Sequence, residues 1–301
     1  MTLAFKQVVK MKNYSIWILE YGFTSKFPRG VTLHGAFDES VRFSYGYALI
    51  KGNGVVAMVD IGFDNVAYGK ELNDRFGVEN WHSPSDVLAS CGVKPADVTH
   101  VFVTHAHFDH FGGAGHFPNA RFFIQERELS KWVWAMSLDR KLRWLTAAID
   151  PADIMRAIGL AREGRLVCVD GVMEDVLPGI DLFPAHDTHT AGSQYILVRN
   201  DGKKQSSDAW VLAGDLVYCF ENLTGADPSD PGYVPIGLAA GSQTNLLLTT
   251  HEMLGHVGGE ARRVIPVHEA RLKDKFPSRL SDRGLHIVEI ALGDQQTSRV
   301  G

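Results

Sequence analysis

The segment Thr104–His110 constrains the fold of this chain more than any other feature. It places three histidines and one aspartate within six residues, directly after the apolar stretch 98–103, which predicts a buried strand. Phe111-Gly112-Gly113 follows, where small residues let the chain turn closely around a bound group. Imidazole suits zinc or iron, and a carboxylate beside three imidazoles can serve a second ion. The sequence therefore predicts a strand that ends in a metal-binding loop.

Composition and charge limit the possible partners. The chain has 301 residues, of which 45% are hydrophobic and 22% charged, as is ordinary for a globular protein with a large core. We expect a single domain over residues 1–301. The net charge is -5, from 30 basic and 35 acidic residues, and no lysine or arginine block stands out. This pattern argues against a nucleic-acid partner.

Three features of the sequence predict a cytoplasmic location. The cysteines Cys91, Cys168 and Cys219 form an odd, sparse set that does not suggest a disulfide framework. Residues 1–12 lack the long apolar core and the small-residue cleavage site of a secretory signal. No stretch approaches 18 uninterrupted apolar residues, so we expect no membrane partner.

Strand patterns at both ends of the chain enclose helical ones. Segments 45–50 and 55–60 predict two strands joined by the hairpin signal Lys51-Gly52-Asn53-Gly54. Segment 126–163 has Leu, Ala, Trp, Arg and Lys at helical spacing and predicts two or three helices, with a break at Asp150-Pro151. Further strands are predicted at 98–103, 120–124, 193–198, 210–213, 263–267 and 287–290, and helices at 83–90 and 245–254. The pattern favours two packed sheets with helices outside.

Four further polar residues lie at strand ends. Asp60 ends the predicted strand 55–60, Asp215 and His268 each come directly after a predicted strand, and His189 lies in a turn-rich loop just before one. A rigid sheet can hold such side chains in fixed positions. These residues are therefore candidates to complete the cluster at 105–110.

In order and spacing, these residues resemble the metallo-β-lactamase superfamily over roughly residues 45–270. The family's H-x-H-x-D-H motif is matched by His105, His107, Asp109 and His110. Its third-motif histidine, bridging aspartate, last histidine and early structural aspartate are matched by His189, Asp215, His268 and Asp60. The resemblance implies an α+β fold, an αββα sandwich of two mixed sheets packed face to face with helices outside.

The resemblance also implies a dinuclear metal centre. The first metal would be held by His105, His107 and His189, the second by Asp109, His110 and His268, and both by Asp215. Two divalent ions are expected; zinc fits best, and the ligands would also accept iron, manganese or cobalt. In the family, a hydroxide that bridges the metals attacks a carbonyl, and Asp109 orients that hydroxide.

Three single positions indicate which branch of the family this chain resembles. Asp215 stands where the broad-spectrum zinc β-lactamases have cysteine, and His107 where the flavin-linked di-iron branch usually has glutamate. Tyr218 follows Asp215 by three residues, as in the N-acyl homoserine lactonases, where this phenol assists ring opening. The resemblance thus predicts a lactonase with Asp109 and Tyr218 as catalytic residues. Its substrate would be a small lactone, or a related cyclic ester, with an apolar part.

Two departures from those lactonases leave the substrate open. Thr190, Ala191, Gly192 and Ser193 replace their usual proline, glycine and second histidine, and segment 126–163 is particular to this chain. A thioester hydrolase of the glyoxalase II type shares all seven ligands and is the alternative. A phosphodiesterase or ribonuclease is disfavoured, because it would need a basic groove and the net charge of -5 gives no sign of one. A non-enzymatic metal-binding protein is disfavoured, because structural zinc sites are normally closed by four ligands. The sequence neither predicts nor excludes a homodimer.

Aromatic residues suggest the walls of a substrate pocket. Trp132, Trp134 and Trp144 in the helical segment either roof an apolar pocket or belong to the packed core. The stretch 23–37, with Phe27, His34 and Phe37, is a candidate for the opposite wall.

Overall fold

The chain forms two mixed β-sheets packed face to face, with helices on their outer sides. A computed structural model describes residues 13–225, 227, 229–294 and 296–300. The strands are β1 (Ser15–Pro28), β2 (Ser40–Gly52), β3 (Val55–Val59), β4 (His100–Phe102), β5 (Arg121–Gln125), β6 (Leu166–Val169), β7 (Met173–Leu177), β8 (Ile180–His186), β9 (Gly192–Arg199), β10 (Ala209–Leu212), β11 (Val264–Ile265), β12 (Ser278–Leu280) and β13 (His286–Ala291). This architecture confirms the predicted fold class.

Strand order places parallel pairs beside antiparallel ones in both sheets. The first sheet runs β12-β13-β1-β2-β3-β4-β5-β6, and its β3 to β6 are parallel. The second runs β11-β10-β9-β8-β7, and only its β10–β11 pair is parallel. Parallel neighbours need long crossover connections, which the helices supply.

The helices lie mostly in those connections. The α-helices are α1 (Arg29–Thr32), α2 (Ala67–Phe76), α3 (Pro84–Ala89), α4 (Phe108–Phe111), α5 (Glu126–Met136), α6 (Pro151–Arg162), α7 (Phe220–Thr224), α8 (Gln243–His256) and α9 (Leu272–Lys275). Short 3₁₀ helices span Pro95–Asp97, Gly112–His116, Arg140–Thr146, Gly214–Leu216 and Ala261–Arg263. Within the described residues, no helix has both the length and the apolar character needed to cross a membrane.

Local turn and capping chemistry explains why several predictions are confirmed. Asn53 and Gly54 both adopt positive φ, 50° and 74°, as the two-residue turn between β2 and β3 requires. Asp150 caps α6 by accepting a hydrogen bond from the Ala152 amide at 2.8 Å, and Pro151 occupies the first turn. The helices predicted between residues 126 and 163 are therefore present, with the break at Asp150-Pro151. We call this segment 126–163 the roof.

Strand β1 is buried on both faces. Ile16 and Ile18 pack between the two sheets, whereas Trp17 and Leu19 pack under the outer helices. Hydrophobic periodicity predicts no element for this segment, because a continuous apolar run has no period that separates a strand from a buried helix.

Candidate metal centre

Seven candidate ligands meet at one edge of the sandwich. The run 105–110 follows β4, Asp215 follows β10, His268 follows β11, and His189 lies in the turn between β8 and β9. Strand β9 is antiparallel to both β8 and β10, so the end of β10 and the turn before β9 lie on the same side. The topology thereby brings together residues that are up to 163 positions apart in sequence.

Three imidazoles form the first group of candidate ligands. His107 Nδ1 lies 3.0 Å from His105 Nε2 and 3.0 Å from His189 Nε2. Asp215 Oδ2 lies 3.6 Å from His105 Nε2 and 3.3 Å from His189 Nε2. These four side chains can hold one ion.

Asp215 faces the second group with its other oxygen. Its Oδ1 lies 3.0 Å from His110 Nε2 and 2.9 Å from His268 Nε2. Asp109 Oδ2 is 3.6 Å from His110 Nε2 and 3.9 Å from His268 Nε2, and these three residues form a second possible ion site. Asp215 therefore lies between the two groups and directs one oxygen toward each.

Hydrogen bonds on the far side of four rings fix which nitrogen is free. The partners of the Nδ1 atoms of His110, His268 and His189 are the Asp60 carboxylate and the Ser44 and Leu238 carbonyls, at 2.8, 2.6 and 3.3 Å. These oxygens only accept, so each Nδ1 donates to them and the Nε2 of each neutral ring keeps its lone pair.

Thr104 has the same effect on His105. Its hydroxyl donates its single proton to Asp60 and can only accept from His105 Nδ1, 3.0 Å away. The ligand nitrogens of His105, His110, His189 and His268 are thus all prepared to bind a cation.

The donor set fits metal ions better than it fits protons. Atoms that bind one tetrahedral zinc at about 2.0–2.1 Å lie about 3.3 Å apart, and the contacts in the first group are 3.0–3.6 Å. His107 Nδ1 faces two lone pairs and can donate to only one of them. Asp215 Oδ1 is buried and makes no hydrogen bond despite its two close imidazole neighbours. A cation in each group would satisfy these atoms.

Burial and charge set the protonation of these groups. Burial lowers the pKa of His105 and His107 well below the usual value, which keeps them in the neutral form that binds metal. Burial opposes ionisation of Asp215, but the neighbouring imidazoles of His110, His268 and His105 hold its pKa well below the usual range. Likewise, burial opposes the charged form of His110, while the carboxylates of Asp215, Asp109 and Asp60 raise its pKa well above the usual value. These carboxylates favour a second proton, on His110 Nε2, at a place that suits a cation equally well.

Asp60 and Gly214 shape the loops that carry the ligands. Asp60 adopts φ +60°, and its carboxylate accepts hydrogen bonds from the Thr104 amide and hydroxyl, both at 2.8 Å. A Cβ at Gly214, where φ is +54°, would lie 2.7 Å from the Thr104 side chain. Glycine is therefore required beside Asp215, and the strained backbone of Asp60 is held by its own hydrogen bonds.

Tyr218 lies within the candidate centre. Its hydroxyl donates to Asp215 Oδ2 at 2.7 Å, and its ring contacts the imidazoles of His189 and His268. Burial and the negative charge of Asp215 raise the pKa of Tyr218 well above its usual value. The phenol therefore remains a proton donor at neutral and mildly alkaline pH.

An apolar cavity of about 320 Å³ opens over the centre. His107, Asp109, His189, Asp215 and Tyr218 line its floor. Its walls are mainly aromatic and aliphatic, with Arg75 among them: Phe27, Val31, Phe43, Tyr45, Arg75, Phe76, Phe108, Trp132, Trp144, Leu145, Ala147, Ala148, Leu238 and Ala240.

The three roof tryptophans differ in position. Trp132 is 6% exposed, lines the cavity and contacts the His107 ring, with 5.6 Å between ring centroids. Trp144 lines the same cavity although it is 62% exposed. Trp134, 52% exposed, instead lines a neighbouring cavity of about 250 Å³. The prediction of a pocket roof and the alternative of a packed core thus both hold in part, since Trp132 is buried and also lines the cavity.

Of the three residues predicted to form the cavity wall opposite the roof, Phe27 does so and two do not. Phe27 lines the cavity and stacks on Phe43, which in turn stacks on His268. The expectation is wrong for His34 and Phe37, which are exposed; Phe37 is 70% exposed. Both residues lie between α1 and β2, in a mostly exposed stretch of chain.

Glu128 is a functional candidate that no sequence pattern singles out: its buried carboxylate accepts hydrogen bonds from the backbone around two ligand loops. Its local signal is weak, because a glutamate in the first turn of a helix is commonly a solvated residue.

Comparison with known proteins identifies the family. The sequence profile of the Metallo-beta-lactamase superfamily matches residues 47–250, and the chain belongs to this superfamily. It is 51% identical to the N-acyl homoserine lactonase AttM of Azorhizobium caulinodans over 41 residues, which is 14% of this chain and 16% of the relative. It is 28% identical to an N-acyl homoserine lactonase of Bacillus cereus over 137 residues, 46% of each protein. The chain thus spans less than half the length of these curated relatives.

A solved structure shows the same fold over most of the chain. It is an N-acyl homoserine lactone hydrolase with the product N-hexanoyl-L-homoserine bound at its catalytic metal center. The TM-score is 0.62 at 18% identity, covering 88% of this chain and 97% of the other.

Proposed function

We propose that this protein is a dinuclear metallohydrolase that opens a lactone, or a related cyclic ester, carrying an apolar substituent. The observation that carries the proposal is the Tyr218 hydroxyl, 2.7 Å from Asp215 Oδ2, within the candidate centre and at the floor of an apolar cavity. The lactonases among the curated relatives support this reaction class.

Seven residues would hold two divalent ions, with zinc the best match to the ligands. The first ion would be bound by His105, His107 and His189, the second by Asp109, His110 and His268, and both by Asp215. When bound, such ions lower the pKa of a water molecule and polarise the substrate carbonyl. Four imidazoles are held by hydrogen bonds on their far side, so little reorganisation is needed to bind metal.

Tyr218 and Asp109 would act on the substrate side of the centre. The Tyr218 phenol, protonated at neutral pH, can donate to the carbonyl oxygen or to the ring oxygen as the ester bond breaks. Asp109 lies at the cavity floor, where its carboxylate can accept a hydrogen bond from the attacking water and orient it.

The cavity favours substrates with an apolar part. Apart from the ligands, Tyr218 and Arg75, its lining is mostly aromatic and aliphatic. An acyl chain or an aromatic group would bury apolar surface there, worth roughly 25 cal/mol for each Å². A polyanionic substrate would find little complementary charge beside the centre.

A hydrolysis panel on the zinc-loaded protein tests the proposal. The panel should contain lactones with short, long and aromatic substituents, acyl thioesters, a phosphodiester and a β-lactam. We expect the highest kcat/KM for a lactone with an apolar substituent. Turnover of thioesters alone would overturn the proposal in favour of the glyoxalase II type, and turnover of the phosphodiester alone would place the protein in another branch.

A further inference from the structure

The Glu128 carboxylate is fully buried and accepts four hydrogen bonds. Oε1 accepts from the Ala106 amide at 2.9 Å and from the Trp132 indole at 2.7 Å. Oε2 accepts from the Thr190 hydroxyl at 2.7 Å and from the Gly192 amide at 2.9 Å. Each oxygen therefore faces two donors within the protein.

Three of these four donors, Ala106, Thr190 and Gly192, lie in or directly beside the two loops that carry the first group of ligands. Ala106 lies between His105 and His107, and Thr190 directly follows His189. The two loops are far apart in sequence and come from different sheets, following β4 and β8 respectively. One carboxylate thus joins the backbone on both sides of three imidazoles.

Close backbone packing supports the same arrangement. A Cβ at Gly192 would lie 2.2 Å from the Glu128 amide nitrogen, so only glycine lets β9 begin against the first turn of α5. The Trp132 ring, which donates to Glu128, also contacts the His107 ring. The roof and the first ligand group therefore share this one carboxylate.

We propose that Glu128 is a positioning residue that sets the spacing of His105, His107 and His189 and so controls the affinity of the first metal site. Its oxygens are occupied by protein donors, so it acts through the two loops and not as a ligand. A carboxylate is needed, because a glutamine would offer one accepting oxygen and turn its NH₂ toward a pair of donors. The inference rests on the metal centre proposed above.

Zinc binding by a glutamine variant tests the inference directly. Metal-free wild type, Glu128→Gln and Glu289→Gln would be titrated with zinc against a competing chelator. Glu289 is a matched control: it is also buried and accepts from a tryptophan indole, Trp17 Nε1 at 3.0 Å, but lies on β13 away from the centre. Long-range ¹⁵N–¹H spectra of the histidine rings would follow the two ligand groups separately.

We expect Glu128→Gln to weaken zinc binding at one site by roughly 10- to 100-fold, as for other residues that orient metal ligands. The ring signals of His105, His107 and His189 should respond only at the higher zinc concentration, while those of His110 and His268 follow the wild-type titration. Glu289→Gln should bind both ions as the wild type does. Wild-type affinity at both sites in a folded Glu128→Gln protein would overturn the inference.

A milder change covers the case in which Glu128→Gln does not fold. Thr190→Val removes one of the four donors and leaves the carboxylate in place. It should weaken the same site by a smaller factor, and unchanged zinc binding would overturn the inference. If the wild-type protein bound no zinc, the proposed function would be wrong. If the wild type bound two ions and Glu128→Gln and Thr190→Val bound them equally well, only the proposed role of Glu128 would be contradicted.

Discussion

The imidazoles of the metal centre lie below an apolar cavity, and two roof tryptophans, Trp132 and Trp144, line its walls, yet these side chains are held in different ways. Four of the five imidazoles are buried, and each of these is fixed by a hydrogen bond to an oxygen on its far side. Of the roof tryptophans, only Trp132 is buried, whereas Trp134 and Trp144 are more than half exposed. The residues proposed for the chemistry are thus held by buried hydrogen bonds, whereas the exposed roof positions Trp134 and Trp144 can change without disturbing them.

The largest effect should come from the residue that faces both ligand groups. Asp215→Ala removes an oxygen from each group, so we expect the loss of one or both metals and a fall in kcat/KM of at least about 1,000-fold. Elemental analysis of protein purified without chelator should approach two ions per chain for the wild type. A wild type fixed at one ion with full activity would contradict the dinuclear centre.

Asp208→Ala is the matched control for that change. Asp208 precedes the other end of β10 and pairs with Arg263 at 2.9 Å. Its loss should leave both metals in place. Loss of metal in this variant as well would mean that β10, and not the ligand, had been disturbed.

Tyr218→Phe should have the next largest effect. It removes the hydroxyl that donates to Asp215 and keeps the ring that packs on His268. We expect kcat/KM for a lactone to fall roughly 10- to 100-fold, about 1.4–2.7 kcal/mol of transition-state stabilisation, with unchanged metal content. The loss should be smaller for a thioester, since a thiolate leaves readily without a proton donor.

Tyr233→Phe serves as the control, because Tyr233 bonds His251 outside the cavity. An unchanged lactone rate in Tyr218→Phe would make Tyr218 a packing residue and remove the main distinction from a thioesterase.

The exposed tryptophans of the roof should affect substrate binding and not metal content. Trp144→Ala removes apolar surface from the cavity at an exposed position, so we expect KM for an apolar lactone to rise about 5- to 10-fold, equivalent to about 1–1.4 kcal/mol. Trp134→Ala, at a similarly exposed residue of the neighbouring cavity, should change KM less. Equal effects of the two substitutions on KM would show that the substrate extends into the second cavity. A change in metal content in either variant would show that these tryptophans act on the metal centre as well as on substrate binding.

The smallest effect on function should come from Asp153, where α6 of the roof packs near Gly112. Burial raises the pKa of Asp153 from 3.8 to about 7. The stability that this neutral carboxyl contributes is fully present below about pH 4 and is lost as pH rises to about 7.

Asp153→Asn should therefore raise Tm by a few degrees at pH 8 and by less at pH 5, with activity unchanged. Thermal melts of both proteins with chelator present would check this without a contribution from bound metal. A gain in Tm that is the same at both pH values would show that burial does not raise this pKa.

Sequence alone determined the features that depend on local chemistry. The H-x-H-x-D-H run, the positive-φ turn at Asn53-Gly54 and the capped start of α6 at Asp150-Pro151 can all be predicted because residue type and spacing specify them within a few positions. The predicted strand ends also marked His189, Asp215 and His268 as candidate ligands, although the resemblance to a family was needed to assign them to one metal centre.

Only the tertiary structure decided which side chains meet. Glu128 reads as an ordinary first-turn glutamate until Ala106 and Gly192, 22 and 64 residues away in sequence, direct their amides toward it. The same holds for the roof, where helical periodicity cannot tell that Trp132 turns toward His107 and Trp134 toward another cavity. The physical reason is that hydrogen bonding and burial at these positions depend on the packing of distant segments, which local propensity does not encode.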